Sequence, residues 1–229
     1  MLNEVKERVY HYNKTLLESN LVIQNFGNAS ERYENKIIIK PSGVNLQNLN
    51  SKEMSVVDMK TGVCSSELKP SVDEPTHRVL YQAFPEILSV VHTHSKYATS
   101  FAQANLEIKN YGTTHSDFTK YSIPCTEVIS KELLTESYEK NTGKLIIKTL
   151  KELGISPFEI PGILVANHGV FSWGKDLKTA VKNAESIEYI ANLAFNTLLI
   201  KPKISIIPKH ISDLHHNRKH GESAYYGQS

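Results

Sequence analysis

The residues with the clearest capacity for chemistry lie in Ser89-Val90-Val91-His92-Thr93-His94-Ser95. Two histidines stand two residues apart at the end of a β-branched run. On a helix, side chains two apart point to different sides and could not share an ion. On a strand they project from one face with Cα atoms about 6.6 Å apart, and their imidazole nitrogens can converge on Zn²⁺ at about 2.0–2.1 Å. Ile87, Leu88, Val90 and Val91 favour the strand. Two solvent-facing histidines would satisfy the same pattern, so the spacing permits chelation without requiring it. His168, in Val165-Ala166-Asn167-His168-Gly169, sits where a strand breaks and a turn can aim a side chain into a cleft. Asp73 precedes a helical segment that begins Glu74-Pro75. Three neutral imidazoles leave coordination positions open for a carboxylate, water or substrate, the catalytic rather than the structural pattern. Nitrogen and oxygen ligands without thiolate suit Zn²⁺, with Mn²⁺ or Co²⁺ as substitutes.

A second chemistry is anion binding. Phosphate needs amide and hydroxyl donors in tight turns, and Phe26-Gly27-Asn28-Ala29-Ser30 and Lys40-Pro41-Ser42-Gly43-Val44 both offer them. Lys-Pro-Ser recurs at 69–71. Each turn alone is better read as ordinary turn chemistry. Gly169 to Asp176 nearly matches the phosphate-loop pattern G-x-x-x-x-G-K-[ST]. The hydroxyl that would hold Mg²⁺ is replaced by the Asp176 carboxylate, and Phe171 and Trp173 crowd the loop, which argues against a nucleotide site.

The elements that must position these groups fit a chain of 229 residues, 40% hydrophobic, enough for one large α/β domain. The 26 basic and 24 acidic residues are interspersed, so there is no nucleic-acid footprint. Arg218-Lys219-His220 reads as a short solvated segment. Cys64 and Cys125 lack metal or redox spacing, and two cysteines make no disulfide framework. The polar start and short apolar runs predict neither a secretory leader nor a membrane span, so a cytoplasmic protein is expected.

Periodicity predicts an amphipathic helix over 4–18 and a strand over 21–30 that turns at Gly27-Asn28. A strand over 36–44 is stopped by Pro41, and two strands flank Lys60-Thr61-Gly62. A helix over 74–85, a strand over 86–95 and a short helix over 96–104 follow. Next come a helix over 143–154 closed by Gly154 and a strand, turn and strand over 162–174. Asp176 caps a long helix with Val181, Ala184, Ile187, Ala191, Ala194 and Leu198 on its apolar face. Hairpin-length joins favour a mainly antiparallel sheet.

The ordered set of motifs from Met1 to Gln228 resembles the class II aldolase/adducin-type family, and within it the branch that epimerises L-ribulose 5-phosphate. The matches include GNAS, IKPSGV, DEPTHRVLYQAFPEI, VHTHS, GTTHSDF, IPCT, HGVFSWGK and RKHGESAYYGQ. The resemblance implies a single α/β domain over 1–229, an α/β/α sandwich around a mainly antiparallel central sheet. It implies that His92, His94 and His168 bind one divalent metal, usually Zn²⁺, with Asp73 as fourth ligand or close neighbour. Gly27, Asn28, Ser42, Gly43 and Ser71 would line the substrate and phosphate site, and Asp117 and Tyr226 would be an acid/base pair. His215 would lie near the phosphate or the aldehyde. Homotetramers are implied, with active sites between subunits and the tail 205–229 contributing. Val72 departs from the family, which more often has serine there, so only its main-chain N–H could donate. Losing a hydrogen bond to a charged group costs about 1.5–3 kcal/mol of binding.

The implied reaction interconverts L-ribulose 5-phosphate and D-xylulose 5-phosphate by metal-dependent cleavage and re-formation of C3–C4. One alternative is an aldolase of the same fold acting on fuculose or rhamnulose 1-phosphate; there a glutamate serves as base at the position matched by Asp73. A remote one is a non-enzymatic adducin-like module, which lacks the metal histidines.

Overall fold

The computed structural model describes residues 1–221 and 224–225. The strands are β1 (Gly27–Tyr33), β2 (Lys36–Ile39), β3 (Ser55–Asp58), β4 (Ser89–Thr93), β5 (Gly162–Val165) and β6 (Gly169–Gly174). They form one sheet in the order β3-β2-β1-β4-β6-β5, and every neighbouring pair is antiparallel. The helices are α1 (Leu2–Glu18), α2 (Glu74–Ala83), α3 (Lys96–Gln103), α4 (Thr113–Phe118), α5 (Lys131–Glu136), α6 (Tyr138–Leu153), α7 (Leu177–Ile200) and α8 (Lys209–His220).

Strand alternation divides the core. Ala29, Ile38, Val56 and Val91 pack on α1 and the start of α7. Ile37, Ile39, Val57, Val90 and Phe171 point the other way, onto Leu80 and Tyr81 of α2 and Ile146 and Leu150 of α6. A third cluster joins Leu164 and Val170 to α3 and to Ile187, Ile190 and Ala191 of α7. Fully burying one such side chain contributes about 1.5–3 kcal/mol, and Ile37, Ile38 and Ile39 are all buried. Helices therefore cover both faces, the expected α/β/α sandwich. Asp176 caps α7 by accepting from the Thr179 amide at 2.7 Å. Gly154 ends α6 in the left-handed region at φ 64°. Both cysteines are free, and among the described residues no helix is long and apolar enough to cross a membrane.

Three expectations change. Residues 21–26 are not a strand, and β1 begins only at Gly27. The amides of Leu21 and Val22 both bond to Leu16 O, so this apolar pair closes α1 after Asn20 turns left-handed. The second strand expected after Gly62 shrinks to a single bridge, Val57 to Cys64. Asp58 Oδ1 takes the Thr61 amide and hydroxyl and tightens the turn. The tail contains α8, which sequence periodicity does not announce, since Ser212 is its one buried residue.

Candidate metal centre and substrate site

His92 shares the parity of Val90 and therefore faces the α2/α6 side, opposite Asn28 on β1 and Phe171 on β6. Its ring stacks on Phe171 at 4.2 Å between centroids, and Nδ1 bonds to Val170 O at 2.9 Å. His94 follows just beyond β4, and the two Nε2 atoms are 3.0 Å apart. Asn167, left-handed at φ 59°, makes the turn that delivers His168. The Nδ1 of His168 lies 3.0 Å from the Tyr138 hydroxyl. The potential ligand atoms of His92, His94 and His168 all lie within 4.8 Å of one another. Gly169 allows the close approach, because a Cβ there would sit 2.7 Å from Thr93 O and 3.3 Å from His92 Cε1.

Burial, with the charge of His92 added, lowers the pKa of His94 to about 4. Burial and the charges of His92 and His94 lower that of His168 to about 3. Both rings are neutral at pH 7 and keep a lone pair. Two nitrogens on one tetrahedral Zn²⁺ lie about 3.3 Å apart, close to the His92–His94 separation. These neutral nitrogen donors fit a divalent metal.

Asp73 stands at the start of α2, but its carboxylate does not cap the helix. Oδ2 accepts from Asn28 Nδ2 at 2.8 Å and Ser71 Oγ at 3.3 Å. Burial would raise its pKa, but the charges of His92 and His77, the Asn28 bond and the charge of His168 outweigh burial and lower it. Asp73 is thus an ionised neighbour of the histidines, outside the convergent ligand set. Lys40 is 5% exposed. Burial lowers its pKa and the charge of Asp73 partly restores it.

The two Lys-Pro-Ser turns are paired. Ser42 N bonds to Lys69 O at 3.0 Å, Ser71 N to Lys40 O at 2.9 Å, and Pro41 bridges Pro70. Their serine amides are therefore spent on each other. The Ser42 hydroxyl and the amides of Gly43 and Val72 have no protein partner among the described residues. Val72 is 62% exposed, so its N–H is accessible to a ligand. Gly43 turns left-handed at φ 67°, and Gly27, at φ 137°, leaves no room for a Cβ beside His92 O at 2.6 Å.

Asp117 is not with the histidines. It lies in α4, where Arg218 reaches it through Nη2 at 2.9 Å and Nε at 3.2 Å, His215 Nδ1 at 3.2 Å and Lys219 at 3.7 Å. Burial would raise its pKa, but bonds from Arg218 and His215 and the charge of Lys219 prevail and lower it. Arg218 and Lys219 are thus part of a half-buried ion cluster, not the solvated segment expected. Asp117, Lys219 and His220 line a cavity of about 920 Å³ with Gly174 and Lys175. That is the end of β6 away from Phe171, three residues or about 10 Å along the strand. Tyr226 lies outside the described residues. Sequence reasoning missed Tyr138, which no motif marks, and Arg218.

The chain matches the family described as class II aldolase and adducin N-terminal domain over residues 7–195. It is 42% identical over 229 residues to the L-ribulose-5-phosphate 4-epimerase UlaF of Salmonella paratyphi B, covering 99% of this chain and 100% of that one. Its fold is similar to that of an L-fuculose 1-phosphate aldolase at TM-score 0.77, with 22% identity over 94% of this chain and 95% of that one. A sugar-phosphate aldolase from Thermotoga maritima shares the fold at TM-score 0.66, with 18% identity over 91% and 99% of the two chains.

Proposed function

The chain belongs to the class II aldolase and adducin family, and from that premise we propose that it is an epimerase interconverting L-ribulose 5-phosphate and D-xylulose 5-phosphate. The observation that carries this reading is the convergence of His92, His94 and His168 beside two paired Lys-Pro-Ser turns. C4 of the substrate has no acidic hydrogen, because the C2 ketone acidifies C3. Inversion therefore runs through a retro-aldol step: the C4 hydroxyl loses its proton, C3–C4 breaks, and its electron pair moves toward the C2 oxygen. Glycolaldehyde phosphate turns over, and the bond re-forms on its other face.

A divalent metal held by the three histidines, proposed as Zn²⁺ with Mn²⁺ or Co²⁺ as substitutes, supplies Lewis-acid stabilisation of the charge on the ketone fragment. Asp73 is proposed as fourth ligand or close neighbour of the metal. The phosphate is proposed to rest on the Ser42 hydroxyl and the Gly43 and Val72 amides. Asn28 and Ser71 hold Asp73 beside it, and Gly27 brings β1 close. Asp117 and Tyr226 are proposed to exchange the C4 hydroxyl proton on opposite faces. An ionised Asp117 suits its removal, and a phenol suits its return.

One chain does not bring Asp117 to the histidines. The proposed assembly is a homotetramer whose active sites lie between subunits, with residues 205–229 completing a neighbour's site. Exposed apolar side chains support covered surfaces: Phe26, 57% exposed beside His94, and Leu199 and Ile200 of α7 at 66% and 86%. A cytoplasmic location is proposed, which a charged phosphorylated substrate supports.

The test incubates metal-loaded protein with L-ribulose 5-phosphate and, separately, with L-fuculose 1-phosphate. Xylulose 5-phosphate from the first is expected. Dihydroxyacetone phosphate from the second alone would make the protein an aldolase, the reading its fold neighbours allow. Absence of both products and of bound metal would favour a non-enzymatic module.

A further inference from the structure

We propose that Tyr138 is a positioning residue for the metal centre, accepting a hydrogen bond from Nδ1–H of His168 so that Nε2 presents its lone pair to the ion. The inference rests on the three-histidine metal reading above. A neutral imidazole has one N–H and one acceptor nitrogen, so whatever holds Nδ1 decides what Nε2 can do. In His168 the Tyr138 oxygen holds Nδ1 at 3.0 Å, as Val170 O holds Nδ1 of His92 at 2.9 Å. If the phenol instead donated to Nδ1, the ring hydrogen would sit on Nε2 and block coordination. His94 has no such protein partner on Nδ1 among the described residues, so two of the three ligands are oriented by the protein.

Tyr138 is placed by rigid parts. It opens α6, and Thr142 Oγ1 bonds back to its carbonyl at 2.9 Å. Thr76 Oγ1 of α2 bonds to Glu139 O at 2.6 Å. Gly143 lets the helices meet closely, since a Cβ there would stand 3.0 Å from Val79 and 3.1 Å from Thr76 O. Asp73 precedes α2 and Tyr138 begins α6, so one clamped helix pair carries both groups to the histidines. A phenol is neutral at pH 7, and its oxygen keeps lone pairs to accept.

The experiment uses the full chain, stripped of metal and titrated with Zn²⁺ against a chromophoric chelator, as wild type, Tyr138→Phe and His168→Asn. The phenylalanine variant is expected to bind Zn²⁺ about 10–100-fold more weakly, with the circular dichroism and melting temperature of the metal-free protein unchanged. Affinity within twofold of wild type overturns the role of Tyr138 and leaves the histidine site standing. Unaltered affinity in His168→Asn overturns both. Should Tyr138→Phe not fold, the imidazole ¹H–¹⁵N correlation spectrum of the metal-free wild type reads the same point. An Nδ1–H tautomer at His168 supports the proposal, and an Nε2–H tautomer overturns it.

Discussion

His92 and His94 hold their Nε2 atoms 3.0 Å apart, a separation that one shared proton bridges and that a bound cation would replace. Replacing His94 by asparagine should weaken Zn²⁺ binding by more than about 100-fold, beyond what outer partners contribute, and abolish epimerisation; equilibrium titration and product assay read both. Two other histidines govern acid stability. Burial, with the charge of His92 added, lowers the pKa of His77 to about 3 against the pull of Asp73, and burial lowers that of His115 to about 4 against bonds to Tyr121 and Lys109. The unfolded chain takes up these protons below about pH 6.5, whereas the folded chain does not until pH 3–4. Stability is therefore complete above pH 6.5 and falls through the window below it, by on the order of 3 kcal/mol per histidine at pH 4. Denaturant midpoints for His77→Gln that fall as steeply with acid as wild type would refute that share.

At the scale of elements, the site depends on close backbone approach and on buried polar latches. Gly169→Ala places a Cβ 2.7 Å from Thr93 O, so it should cost about 1–3 kcal/mol and weaken metal binding together with stability. The latch on α8 is different. Asn110 Nδ2 bonds to Ser116 Oγ at 3.0 Å and Ser212 Oγ at 3.3 Å, and the two serines are 3.1 Å apart. Asn110→Ala removes its bonds to both hydroxyls, leaving the serines bonded to each other, at a cost of about 1–3 kcal/mol, and loosens α8, which carries Arg218 to Asp117. It should lower kcat while leaving Zn²⁺ affinity intact; a parallel loss of both would show that the two halves are not separable. Sequence reading succeeded where burial follows a period, as in Ile37, Ile38 and Ile39 pointing alternately to two layers. It failed at Leu21 and Val22, whose hydrophobicity serves a helix end, and at α8, whose helicity rests on Ser212 and Asp117 rather than on an apolar stripe. The histidines were legible through spacing and a turn. Tyr138 was not, because its role exists only once α6 lies against α2.

For the whole molecule, the separation of Asp117 from the histidines makes assembly testable. His94→Asn and Asp117→Asn should each be inactive alone. Unfolded together in equal amounts and refolded, they should regain about a quarter of wild-type activity, the share of interfaces pairing two intact halves. Recovery of nothing would place both groups in one chain's site or none.

The pairing of β1 with β4 has a last consequence. Asn28 and His92 face each other on one antiparallel rung, with Asn28 bonded to Ser71 of the proposed phosphate turns and His92 in the proposed metal site. A slip of β1 by one residue would throw Asn28 to the face opposite His92, so the gap between the two cannot drift by small steps. Under the proposed function, the sheet would act as a gauge for the length of the sugar. If the proposed site holds, accepting a longer or shorter substrate would require rebuilding the turns, not retuning the strands.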